Sequence, residues 1–270
     1  MTKSKLNNGK IKLEDSGKEV PMKVLIFDIE NAPNVVYTWG RYEQDVIDVV
    51  EDWYILSFSY KWLGSKTSTV RGLPNFSLFK SDKHNDRELV KELWRLFDEA
   101  DVIVAHNGNS FDIKKCRARF LFHGMKPPSP FKSIDTKLVA KRYFRFDSNK
   151  LDELGRQLGL GRKVHHDGFE MWKGCMAGEM KWWKKMLYYN KQDVALLEKV
   201  YLKLRPYIEG HPNSNVFNGT SHNCPNCGSV NTHRRGTATT RTLSYSRFQC
   251  QDCGSWSRGS VEKKVKVIVR

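Results

Sequence analysis

Two carboxylates close the apolar run "VLIFDIE". Asp28 and Glu30 lie two residues apart at its end, and because side chains alternate along a strand, both project from one face. Like charges held that close repel, and an unpaired carboxylate in a core is costly, so something positive is expected between them. Two further segments offer acids that answer this pair. In "HNGNSFD", Asp112 falls in the first turn of a helix that follows a strand and a Gly-containing turn, with Asn107 and Phe111 in the approach. In "YYNKQDV", Tyr189 and Asp193 stand four residues apart and share a helix face, and Leu197, Val200 and Leu204 continue near it and turn it toward the core. An all-oxygen donor set of this kind suits hard divalent cations such as Mg²⁺ or Mn²⁺. Two such ions, about 3.5–4 Å apart, activate a water and stabilise the leaving oxygen during displacement at phosphorus.

A second constellation lies near the C-terminus. "CPNCGS" at Cys224 and Cys227 matches "CQDCGS" at Cys250 and Cys253. Paired Cys-x-x-Cys knuckles, each followed by Gly, fit one tetrahedral Zn²⁺ on four thiolates. A module this small lacks the core to fold alone, so metal is expected to supply most of its stability. The segment between the knuckles is longer than the usual range and leaves room for a β-hairpin carrying Arg234, Arg235, Arg241 and Arg247, interleaved with Tyr245 and Phe248. Arginines among aromatics suit phosphate contacts and base stacking. A solvated basic face, or a docking site for a protein, accounts for them as well. The other two cysteines, Cys116 and Cys175, read as small buried hydrophobes.

The elements that must position these groups follow from the pattern. Five strands are expected: "VLIFDIE", "DWYILSFSYKWLG", "STVRGL", "DVIVAHN" and "FKSID". An amphipathic helix with Leu89, Leu93, Leu96 and Phe97 on one stripe is expected to open with a capping box from Asn85 to Glu88. A helix over about 111–123 follows, then others near Thr136, Lys150 and Gly178, and a last one from about Tyr189 to Leu204. This order gives an α/β fold with a mixed five-stranded sheet flanked by helices and a small C-terminal β ribbon. The domain reading is an arm over 1–21, the α/β domain over 22–207, a polar linker over 208–222 and the cysteine module with a basic tail over 223–270.

The chain has 270 residues and a net charge of +16. That length holds one ordinary domain plus a smaller one, and that charge calls for an anionic partner such as nucleic acid. The N-terminal residues lack the apolar stretch of a secretory signal, and no apolar run approaches the roughly 20 residues that span a bilayer. A soluble intracellular (cytoplasmic) protein is expected.

The three acid motifs together resemble those of the DEDD 3′–5′ exonucleases of the RNase H-like superfamily, which includes polymerase proofreading domains. "FDIE" is similar to the first exonuclease motif, "NGNSFD" to the second and "YNKQD" to the third in its tyrosine form. The layout over residues 22–205 resembles stand-alone relatives of the B-family polymerase proofreading domain. The histidine form has His five residues before the last acid, where this sequence has Tyr188. The resemblance implies an RNase H-like fold and a two-metal hydrolysis of terminal phosphodiesters. It implies that Asp28 bridges both ions, that Glu30 and Asp193 complete the site of the ion holding the attacking water, and that Asp112 acts on the second ion. It implies that Tyr189 orients the water, and that Asn107 and Phe111 lie beside the terminal nucleotides. The basic helix "GEMKWWKKM" offers Lys184 and Lys185 to the phosphate backbone, while Trp182 and Trp183 read as core or wall. Asp135 reads as a helix N-cap, and His165 and His166 as loop residues. DNA is favoured over RNA as the partner. A structure-specific endonuclease on the same fold, or a nucleic-acid-binding module without activity, remain alternatives. The intact set of four acids argues against the last.

Overall fold

A computed structural model describes residues 21–42, 45–218 and 223–265. The N-terminal arm up to residue 20, part of the linker and the end of the basic tail lie outside the described residues. The first strand, β1 (Val24–Asn31), is the centre of a five-stranded sheet. It pairs antiparallel with β4 (Ile55–Trp62), which carries β5 (Thr69–Gly72) on its outer side, also antiparallel. On its other side β1 pairs parallel with β6 (Val102–Ala105), and β6 with β7 (Lys132–Asp135). The five strands are those the sequence predicts, in the order β5-β4-β1-β6-β7. A feature the sequence reading missed is a two-stranded hairpin, β2 (Val35–Tyr37) and β3 (Asp48–Glu51), directly after β1.

Strand alternation in β1 sorts its side chains between two apolar layers. Leu25, Phe27 and Ile29 pack with α1 (Arg87–Glu99), α2 (Asp112–Phe122) and α5 (Phe169–Met176), while Val24 and Ile26 pack with α3 (Thr136–Tyr143) and α4 (Leu151–Gln157). The 25-residue α6 (Met180–Leu204) serves both layers: Trp183, Met186 and Tyr189 in the first, Val194, Leu197 and Tyr201 in the second. The sequence reading split this helix in two and did not foresee α5. Phe27 and Phe97 meet edge to face with centroids 5.1 Å apart, the geometry that aromatic quadrupoles favour.

The expected capping box of α1 does not form. Glu88 instead accepts hydrogen bonds from Ser77 Oγ and Leu78 N at 2.8 and 3.0 Å. Asp86, fully buried, accepts from Ile55 N at 2.9 Å and from Arg119 Nε at 2.8 Å, and lies 2.7 Å from His123 Nε2. A polar group that deep needs every lone pair engaged, and these contacts tie β4, α1 and α2 together.

The polar segment after α6 docks rather than trailing free. The Tyr201 hydroxyl meets buried His211 Nε2 at 2.7 Å. Beyond it, the short helix α7 (Ser214–Asn218) leads to a three-stranded antiparallel sheet of β8 (Thr232–Thr239), β9 (Leu243–Cys250) and β10 (Trp256–Lys264), with β9 central. Ser214 N donates to Pro225 O at 2.8 Å and Asn226 Nδ2 to Arg205 O at 3.4 Å, joining this module to the end of α6.

Candidate metal centres

Because Leu25, Phe27 and Ile29 take one face of β1, Asp28 and Glu30 continue the face of Val24 and Ile26. Opposite them on β4 stand two small, fully buried serines, Ser59 across from Asp28 and Ser57 across from Glu30. A bulge between Glu30 and Asn31 ends the regular pairing, as bulges beside functional sites commonly do. The acids therefore have small neighbours on β4, and α6 packs over them, with Asn190 against Asp28. Carboxylate oxygens of Asp28, Glu30 and Asp193 all lie within 4.8 Å of one another. Asp112, buried at the start of α2, accepts from Ile29 N at 3.3 Å and so hangs from the backbone between the two β1 acids.

Crowding has the expected electrostatic result. Burial, then the neighbouring Asp112, Glu30 and Asp193 charges, hold the Asp28 carboxyl well above the usual carboxylate range. Burial and the Asp193 charge push Glu30 up to about 8, and burial pushes Asp112 up to about 7. Asp193 is also raised by burial, but Lys163 opposes the shift. All four carboxyls are raised above the ordinary range, which is the behaviour of a site shaped for positive charge.

Two residues that the sequence reading did not single out complete the site. Lys163 places its ammonium 2.6 Å from Asp193 Oδ2 and 4.9 Å from the centre of the Tyr189 ring. Despite burial, the Asp193 charge holds that ammonium above its ordinary value. Asn190, fully buried on α6, donates to Asp28 Oδ2 at 2.7 Å, and its own Oδ1 accepts from Ser57 Oγ at 3.3 Å. The signal for Asn190 lay in the alternation of "LSFSY" with small polar residues at 57 and 59. Lys163 sits in an irregular stretch that offers no periodicity to read.

Among the described residues no hydrogen bond reaches the buried Asp193 Oδ1. An orphaned carboxylate oxygen amid three other carboxylates, with oxygen as the available donor, fits a hard divalent cation. Tyr189 is buried, and burial followed by the Asp193 charge raises its phenol above the ordinary range, so it stays protonated. His166 packs edge-on to Tyr189 at 5.2 Å and to Trp172 at 5.3 Å. It serves the wall of the site.

The loop into Asp112 is held by Asp135. As the N-cap of α3, Asp135 accepts from Lys137 N and Leu138 N at 3.0 and 3.3 Å, and it also takes Asn107 N at 2.9 Å and Asn109 N at 3.1 Å. The predicted cap is present and does a second job, since Asn107 is the one non-glycine residue with positive φ (69°) among the described residues. Gly108 is required beside it, because a Cβ there would lie 2.4 Å from that of Ala105. The Asn107 amide oxygen accepts from Lys137 Nζ at 3.1 Å. Phe111 precedes Asp112 and is 39% exposed; Lys115 lies 5.8 Å from its ring centre and 3.6 Å from that of Trp53. Lys184 is exposed, whereas Lys185 is engaged by Asp167 at 2.8 Å.

The four cysteines converge as their spacing predicts, all Sγ atoms lying within 4.8 Å of one another. The two knuckles repeat one geometry. Gly228 N donates to Cys224 O at 2.8 Å and Gly254 N to Cys250 O at 3.0 Å, and both glycines take φ of 78°, which only glycine adopts freely. Against the effect of burial, backbone N–H groups of Cys253 and Asp252 bring the Cys250 thiol down to about 7. Four sulfurs so arranged are compatible with a structural zinc site. On the sheet, Arg234 pairs with Glu262, and Arg247 donates to Arg235 O at 2.9 Å while stacking over Trp256. Arg235 and Arg241 are exposed.

With strand order, acid cluster and closing helix in view, the chain can be placed. The family model RNase_H_2, of the RNase_H superfamily, matches residues 60–205, and the protein belongs to that superfamily. The matched span contains Asp112, Tyr189 and Asp193 but begins after β1, so Asp28 and Glu30 stand outside it. The chain is also similar to the solved structure of the family B DNA polymerase from the hyperthermophilic archaeon Pyrobaculum calidifontis, at 16% identity and a TM-score of 0.47. That similarity covers 83% of this chain and 32% of the polymerase, so this chain spans about a third of the polymerase's length. Among curated proteins none matches the sequence.

Proposed function

We propose that the protein is a metal-dependent nuclease, a 3′–5′ exonuclease of the tyrosine subclass that removes terminal nucleotides from DNA or RNA. The observation that carries the reading is the meeting of Asp28, Glu30 and Asp193 oxygens within 4.8 Å, with Asp112 hydrogen-bonded to the backbone between the first two. Asp28, Glu30, Asp112 and Asp193 would hold two Mg²⁺ or Mn²⁺ ions, whose chemistry when bound is activation of a water and neutralisation of charge on the leaving oxygen. The chain's own groups set the geometry. Asn190 fixes the rotamer of Asp28 through its 2.7 Å hydrogen bond. Tyr189, kept protonated, is placed to orient the attacking water through its hydroxyl. The Lys163 ammonium balances charge at Asp193 and is poised to meet a substrate phosphate. Cys224, Cys227, Cys250 and Cys253 would hold one structural Zn²⁺, and the exposed arginines of the ribbon would add phosphate contacts.

The test incubates 3′- and 5′-labelled single and double strands of DNA and RNA with Mg²⁺, with Mn²⁺ and with EDTA. Mononucleotides released from 3′ ends, absent with EDTA and with Asp28→Ala, are the expected result. No cleavage with either metal would overturn the reading, and discrete internal products would replace the exonuclease by an endonuclease.

A further inference from the structure

Two hollows meet at the Pro212–Asn213 step, one along the edge of the α/β domain and one against the sheet of the cysteine module. The first, about 230 Å³, follows β7 and α3, with Asn109 and Asp135 at its acid-site end, Lys132, Arg142 and Tyr143 along it, and Pro212 at the far end. The second, about 560 Å³, takes over at the next residue, Asn213, and passes between the docked segment and the sheet residues Ser246, Phe248, Ser257 and Arg258. The joint between them is fixed by the Tyr201–His211 contact at 2.7 Å and by the bond from Ser214 N to Pro225 O at 2.8 Å. We propose that the two hollows form one track for single-stranded nucleic acid, leading its 3′ end from the cysteine module to the carboxylates. The proposal rests on the nuclease reading and adds the form of the substrate and its path.

Charge and lining both favour this occupant. Lys132, Arg142 and Arg258 are exposed, and the two guanidiniums lie over ring faces, of Tyr143 and Tyr245, each at 5.3 Å. Their charge is therefore open to phosphate. Of the two acids in the first hollow, Asp135 has its oxygens engaged by backbone N–H groups. Glu209 remains exposed and opposes the trend, outnumbered by Lys132 and Arg142 in the same hollow. Among the described residues the outer side of β7 has no strand partner, so its backbone donors and acceptors face the hollow's visitor. Rings and small hydroxyls set along a narrow path reach bases only when these are unpaired. A duplex offers its grooves and phosphates and would ride over the rim.

The test measures binding by fluorescence anisotropy with no Mg²⁺ or Mn²⁺ added and no chelator present, so that the zinc is kept, and with the full chain carrying Asp28→Ala so that no substrate is consumed. Single strands of about 4 and about 20 nucleotides, a range bracketing typical single-strand site sizes, are compared with a duplex of the longer length. Arg142→Glu with Arg258→Glu is expected to weaken binding of the long single strand at least tenfold and to leave the short one within about twofold. The salt slope for the long strand should fall by about 1.4, for two phosphate contacts at about 0.7 each. Unchanged zinc content and circular dichroism establish that the double variant is folded. An equal loss for single strand and duplex would overturn the track in favour of a general basic surface, and no loss would overturn it outright. Cleavage is scored separately. Binding that follows this pattern in a protein that cuts nothing would sink the nuclease reading and leave the track. Normal cutting of long strands by the double variant would sink the track and leave the nuclease.

Discussion

Removing one carboxylate from the acid cluster is expected to stabilise the metal-free protein at alkaline pH. Glu30 titrates at about 8 in the fold, against an ordinary value of 4.5. Between those values the native state binds a proton that the unfolded chain has already released. Stability then falls as pH rises, because the native state holds the extra proton. One proton corresponds to about 1.4 kcal/mol per pH unit, so the loss between about pH 6.5 and 8 comes to about 2 kcal/mol. Against a typical total of about 5–15 kcal/mol, that is readily measured. The assay is urea unfolding in EDTA, at half-unit steps over that range, for the wild type and for Glu30→Gln. The wild type should weaken steadily while the variant, in which Asp28 and Asp112 keep raised carboxyls, weakens less steeply and is the more stable of the two at the alkaline end. Adding Mn²⁺ should reverse the wild-type trend, since ionised carboxylates bind the ion and binding to the native state stabilises it. A metal-free wild type whose stability is flat or rises across this range would refute the reasoning.

Three further outcomes follow from other parts of the molecule. Burial lowers His106 to about 4 from 6.5, so the unfolded chain takes up the extra proton in that interval and stability is lost as pH falls through it. His106→Gln should flatten the acid limb of the unfolding curve by up to about 3 kcal/mol at one proton, and an unchanged limb would exclude the histidine as its cause. Lys163→Met frees Asp193 of its ion pair and should tighten Mn²⁺ binding measured by calorimetry, while slowing turnover; weaker binding would show that the lysine supports the site rather than competing for it. Cys224→Ser should abolish zinc content and melt the three-stranded sheet while leaving the unfolding of the larger domain in place, and full zinc in the variant would refute the four-sulfur site.

Much of the architecture was legible because alternation and charge carry position directly. Val24 to Glu30 names a buried strand with a polar end, and the remaining strands stop at turn residues. The acids could be assembled because each sits at a fixed point of an element: a strand end, a helix start, one face of a helix. What escaped depends on contacts between distant segments. Nothing local marks Lys163, whose place is set by how an irregular loop folds back onto α6. The capping-box pattern at Asn85 was sound by itself, but Glu88 found better partners in Ser77 and Leu78, and Asp86 was recruited by Arg119 and His123. The break expected before Tyr189 failed for a related reason: with Trp183 and Met186 buried in the first layer, continuing the helix costs less than turning it. Hairpin β2–β3 keeps Tyr37, Trp39 and Tyr42 largely exposed, so its apolar residues gave no inward-facing stripe to find.

The unbroken α6 also acts as a ruler. Tyr189, Asn190 and Asp193 lie along its middle, while Tyr201 and Arg205 at its end hold the segment and knuckle that carry the cysteine module. At about 1.5 Å and 100° per residue, the eleven steps from Asp193 to Leu204 set about 16 Å along the axis, and a fixed angle, between the acid site and the helix end that holds the cysteine module. A single inserted residue between them would swing the module by more than a quarter turn, whereas the loops around 64–68 or 125–130 have no such phase to keep. Length changes among relatives of this chain should therefore gather in those loops and spare the second half of α6.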